Sequence, residues 1–138
     1  MMSADRRLRA SPAAMALGLS LIASAPLSAQ TPWQAPEAEK ARKPPASATG
    51  PQAIEAGKKS AQINCASCHG ATGKGNGPAA IALNPKPADW TARMVQGESD
   101  GELFWKITNG RGAMPPWRHL PETERWALVA FIRSLGGK

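Results

Sequence analysis

The chain has 138 residues, with 13 Gly, 13 Pro, two Cys, two His, no Tyr and a formal charge of +7. That length suits one domain, and 42% hydrophobic with 20% charged residues is neither a membrane bundle nor a wholly disordered chain. Two Cys are too few for a disulfide scaffold or a four-Cys zinc site, while the positive charge leaves nucleic acid, a membrane surface and an acidic protein face open as partners.

Residues 1–29 read as a secretory signal peptide. Arg6, Arg7 and Arg9 make a basic start, Ala13 to Ala25 is an apolar run of 13 residues, and Leu27-Ser28-Ala29 ends in a small residue. As a helix the run reaches roughly 20 Å, short of the ~30 Å hydrocarbon core, so cleavage after Ala29 is expected rather than a retained anchor. No Cys follows the run, so a lipid anchor on cysteine is excluded. Removing residues 1–29 takes three Arg and Asp5 and lowers the net charge to +5. The remaining basic residues form no stripe interleaved with aromatics, which argues against nucleic acid as the partner.

Residues 30–51 (QTPWQAPEAEKARKPPASATGP) include five Pro, with Ala and polar residues making up most of the rest. Little apolar area is available there to offset ordering entropy, so a flexible leader is expected, an unstructured extension in preference to a tether or docking arm. The folded domain is then 52–138. A core that small usually needs a staple, a metal or a cofactor.

In the domain, residues 53–64 read as a helix with a small inner face of Ile54, Gly57 and Ala61. Cys65-Ala66-Ser67-Cys68-His69 follows, using both cysteines and one of the two histidines. On a helical turn Cys65, Cys68 and His69 stand at i, i+3 and i+4 and project to one side. Covalent haem attachment needs that arrangement: two thiols add across the vinyl groups and the imidazole reaches the iron. The alternatives are weaker. A redox disulfide wants a βαβ surround, and zinc needs a fourth ligand that only His119 or a carboxylate is placed to give. Four Gly between Gly70 and Gly77 make a tight turn. No strand precedes it and no GK[ST] closes it, so it is not a phosphate loop.

For the iron's other face the candidates are Met94, Met114 and His119. Met114 is favoured, because Pro115 and Pro116 fix the backbone just after it; His119 is expected to cap or shield the last helix. Further along the chain, Ser99-x-x-Glu102 is a capping box for a helix with Leu103, Phe104 and Ile107 inward and Asn109-Gly110 as its stop. Pro121 opens a last helix whose Leu128, Phe131, Ile132 and Leu135 recur at helical spacing. Trp90 and Trp105 are candidates either to donate an indole N–H to a haem propionate or simply to pack.

From about Ala53 to Leu135 the chain resembles the class I, monohaem c-type cytochromes of bacterial exported type. The resemblance rests on Cys65-x-x-Cys68-His69-Gly70, Gly77-Pro78, Met114-Pro115 and the terminal helix ending Phe131-Ile132-Arg133-Ser134-Leu135. It implies an all-α, small cytochrome c fold, three to five helices around one covalently attached haem c. It also implies thioether bonds at Cys65 and Cys68, axial ligation by His69 and Met114, and a Pro78 carbonyl accepting the His69 imidazole N–H. Members often carry an aromatic residue four before the first Cys, where this chain has Ala61. Close crossing of the terminal helices at Gly57 and Ala61, with Phe131 filling the gap, is therefore expected.

The function expected is periplasmic transfer of single electrons, by a carrier rather than an enzyme. Lys58, Lys59, Lys74, Lys86 and Arg111 are expected to steer redox partners with acidic docking faces. The chain is expected as a monomer or as the subunit of a redox complex, with no integral membrane span once the signal is removed. The alternatives are a haem-bearing subunit of a larger dehydrogenase or oxidase and, less well supported, a gas-binding haem sensor or enzyme.

Overall fold

The computed structural model describes residues 32–137. The expected signal peptide, 1–29, lies outside the described residues, as do the first two residues of the expected leader. Among the described residues the architecture is helical with no strands. The helices are α1 (Glu37–Lys40), α2 (Gly50–Asn64), α3 (Ala66–His69), α4 (Arg93–Gln96), α5 (Asp100–Asn109) and α6 (Glu122–Ser134), with 3-10 turns at Ala46–Ala48 and Pro78–Ala82. None of these helices is long and apolar enough to cross a membrane. The all-α expectation holds.

Helices α2 and α6 form the main packing pair. Their close approach is built from small residues. Gly57 is buried against the backbone of Ala127 and Leu128, where a Cβ would overlap the Ala127 carbonyl, and Ala61 is buried one turn further on. The two helices meet as expected, and Phe131 is buried in the same core as Ala61.

Helix α5 begins at Ser99, whose hydroxyl accepts the Glu102 backbone N–H at 3.1 Å. Only half of the expected capping box forms: the Glu102 carboxylate turns instead to Lys106, 3.3 Å away. Leu103, Phe104 and Ile107 are buried, and Gly110 stops the helix with φ of +61°. Phe104 stacks on Trp126 of α6 with ring centroids 4.1 Å apart, and this pair is the centre of the core.

Residues 32–49, read from composition as a flexible leader, make specific contacts with the domain. Ala35 and Ala48 are buried, and the Ser99 hydroxyl donates to the Lys40 carbonyl at 2.8 Å. The Arg42 guanidinium lies 4.5 Å from the Phe104 ring centroid and 5.7 Å from that of Trp126. It also meets Glu122 at 2.7 Å and Glu39 at 3.2 Å. The arm docks through small residues and one cation over aromatic faces, so it needs little apolar area of its own.

Candidate functional site

The site grows from the end of α2. Cys65 breaks the helix with φ of −121°, and α3 restarts at Ala66 for a single turn. The backbone N–H groups of Cys68 and His69 both donate to the Cys65 carbonyl, at 3.1 and 2.9 Å. That turn brings Cys65, Cys68 and His69 together, as the spacing requires. Both cysteines are free thiols and half-buried. Burial and the charge of neighbouring Cys68 push the Cys65 thiol up to about 11.

The Gly-rich segment folds back onto α3. The N–H groups of Gly75 and Gly77 donate to the His69 and Cys68 carbonyls, at 2.8 and 3.0 Å. Gly77 is buried where a Cβ would strike the Ser67 and Ala66 carbonyls. This is a tight backbone turn around the histidine, as the sequence suggests.

His69 Nδ1 lies 3.1 Å from the Ala88 carbonyl. A carbonyl only accepts, so Nδ1 carries the proton and Nε2 is left with its lone pair. Burial pushes the imidazole below its ordinary pKa, with the Ala88 hydrogen bond pulling the other way. The expected acceptor, Pro78, is replaced by Ala88. Pro78 instead starts the 3-10 turn that packs on α3, while residues 88–91 cross beside His69. Thr91 holds that crossing segment, its N–H and hydroxyl both donating to Asp89, at 2.8 and 2.7 Å. These bonds, chiefly the hydroxyl's, and nearby Lys74 hold the Asp89 carboxyl below its usual range. An Asp two residues after a Pro was the available sequence signal for a pinned turn here.

Met114 sits at the end of a tight turn closed by reciprocal backbone bonds with Arg111, of 2.9 and 3.0 Å. Gly112 takes the positive φ that turn requires, +58°. Met114 is half-buried and packs against the same core as Cys65. Met94, by contrast, is 85% exposed. His119 is exposed beside Trp117, with ring centroids 5.4 Å apart. Among the described residues no three His, Cys, Asp or Glu side chains are arranged to hold a metal ion by themselves.

Residues 52–132 match the family described as cytochrome c oxidase, cbb3-type, subunit III. The chain belongs to this family of c-type cytochromes. It is 38% identical over 96 residues to the cbb3-type cytochrome c oxidase subunit FixP of Azorhizobium caulinodans, covering 66% of this chain and 31% of that protein. It is 33% identical over 91 residues to subunit CcoP of Azospirillum brasilense, covering 64% of this chain and 30% of that one. The chain therefore spans about a third of the length of the curated relatives it matches. Among solved structures, a chain of the reducing HAO-like protein complex of Kuenenia stuttgartiensis aligns with a TM-score of 0.53 at 30% identity, over 62% of this chain and 44% of that one.

A c-type cytochrome carries haem c, and the donor set of the cbb3 subunit III domain described above fits that group. Two unpaired thiols flank one turn, and the adjoining imidazole has Nδ1 engaged and Nε2 free.

Proposed function

We propose that this chain is a haem-bearing electron-transfer subunit of a membrane redox complex of the cbb3 oxidase type, working on the periplasmic side. One haem c is attached through Cys65 and Cys68, with His69 and Met114 as axial ligands. The observation that carries this reading is the free Cys65/Cys68 pair beside a histidine whose Nδ1 is already engaged by Ala88. Support for a subunit rather than a free carrier comes from the relatives, whose names are those of oxidase subunits.

The haem supplies a one-electron ferric/ferrous couple. The protein's own residues do the rest. Cys65 and Cys68 give two anchors on a rigid turn. The Ala88 carbonyl sets the His69 tautomer and raises the basicity of Nε2. The Arg111–Met114 turn fixes the backbone that carries the thioether, and such a ligand raises the potential relative to a second imidazole. Were His69 and Met114 both to hold the iron, no exchangeable position would remain for a substrate or gas, and the chain would act as a carrier within the complex rather than as its catalyst. Ile63 and Ile81, 73% and 87% exposed and both close to α3 along the chain or in packing, offer apolar contact to a neighbouring subunit.

The test is the visible spectrum of the purified protein, oxidised and reduced, with and without carbon monoxide. A reduced c-type spectrum, a weak far-red sulfur-to-iron band when oxidised and indifference to the gas are expected. Ready gas binding by the wild type, or no far-red band, overturns Met114 ligation. Native gel migration of the chain from detergent-solubilised membranes tests the subunit reading: migration alone, at its own mass, sinks it.

A further inference from the structure

Besides the Ala88 hydrogen bond, His69 has a second contact, supplied by Trp90. The ring centroids of the two residues lie 4.6 Å apart with planes 24° from parallel. A hydrogen bond from Nδ1 holds the imidazole at one atom but leaves it free to rock about the N···O line. A stacked ring on its face removes that remaining freedom. Both restraints come from one short stretch, since Ala88 provides the carbonyl and Trp90 the ring.

That stretch is itself held from several sides. The Trp90 backbone N–H donates to the Gly73 carbonyl at 2.7 Å, and Gln96 Nε2 donates to the Trp90 carbonyl at 2.6 Å. The same amide reaches the Ile132 carbonyl of α6 at 2.9 Å. Phe131 meets the indole edge-on, at 6.3 Å and 88°. Gly73 makes room for the indole, because a Cβ there would collide with it. Trp90 is thus a buried side chain that has one face on His69 and is anchored by the loop after His69 and by α6.

We propose that Trp90 is a positioning residue for His69, fixing the plane of the imidazole and so tuning the iron it binds; this rests on the reading of His69 as a haem ligand. Packing alone also explains a buried tryptophan, so the test separates the two. The holoprotein is compared as wild type, Trp90→Phe, Trp90→Leu and Phe131→Leu. Phe131→Leu removes the edge contact to Trp90 and leaves the stack on His69 intact. The readouts are the ferric electron paramagnetic resonance g values and the redox equilibrium against a dye mediator, with thermal unfolding alongside.

Trp90→Leu is expected to move the g values and to shift the redox equilibrium roughly two- to tenfold, the size of one stacked aromatic pair. Trp90→Phe restores both, and Phe131→Leu lowers the melting temperature without moving either. Wild-type g values and equilibrium in Trp90→Leu, or an equal displacement in Phe131→Leu, overturn the proposal while leaving the ligand reading intact. A wild-type protein without a low-spin haem c signature overturns the ligand reading, and this inference with it.

Discussion

At the scale of single residues, Gly57 carries the clearest consequence, and the argument is steric. Gly57→Ala forces a methyl group into the Ala127 carbonyl and must push α2 off α6. Overpacking of this kind costs roughly 1–3 kcal/mol, read as a lower unfolding midpoint. An unchanged midpoint would show that the two helices have slack where they cross.

At the scale of elements, Arg42 decides whether residues 32–49 belong to the fold. Its guanidinium covers Phe104 and bridges to Glu122, with the side chain 37% exposed. Arg42→Ala is expected to cost about 1–2 kcal/mol, from a partly covered cation–π contact and a screened ion pair. It should also make the segment before α2 markedly more sensitive to protease. Cleavage as slow as in wild type would mean that Ala35, Ala48 and the Ser99–Lys40 bond hold the arm without it. The contrast with the other elements explains what the sequence could reveal. Helix ends announce themselves through local chemistry, as with the Ser99 cap, the Gly110 stop and Pro121 before α6. The Cys65–His69 turn is equally local, since five consecutive residues contain both thiols and the imidazole. The arm is invisible to composition because its buried residues are alanines and its anchor is an arginine. The Ala88 carbonyl is invisible for another reason. A backbone acceptor has no residue signature, and this one lies 19 residues beyond His69, brought there by the turn after Gly70.

At the scale of the whole molecule, charge is sorted between structure and surface. Glu37, Glu39, Glu98, Glu102, Asp100 and Glu122 are engaged with Lys40, Arg42, Lys106 and Arg133 in ion pairs. Two of the cations expected to steer partners also have local duties: Lys86 Nζ donates to the Ala80 carbonyl at 2.8 Å, and Lys74 Nζ to the Thr91 hydroxyl at 3.4 Å. Lys58, Lys59 and Arg111 are exposed and outside those pairs, so of the five they are the freest to act at long range. Long-range attraction works on the encounter rate and is screened by salt, whereas short-range fit works on dissociation. Reversing all three to Glu is therefore expected to slow association with an anionic redox partner by about tenfold, the low end of what steering provides. It should also flatten the fall of that rate with ionic strength while leaving the dissociation rate nearly unchanged. Stopped-flow electron transfer from a soluble, acidic redox protein to the complex that contains this chain, across a salt series, reads both quantities. If the triple variant keeps the wild-type rate and salt slope, the positive charge has no part in docking, and contact must rest on apolar side chains such as Ile63 and Ile81.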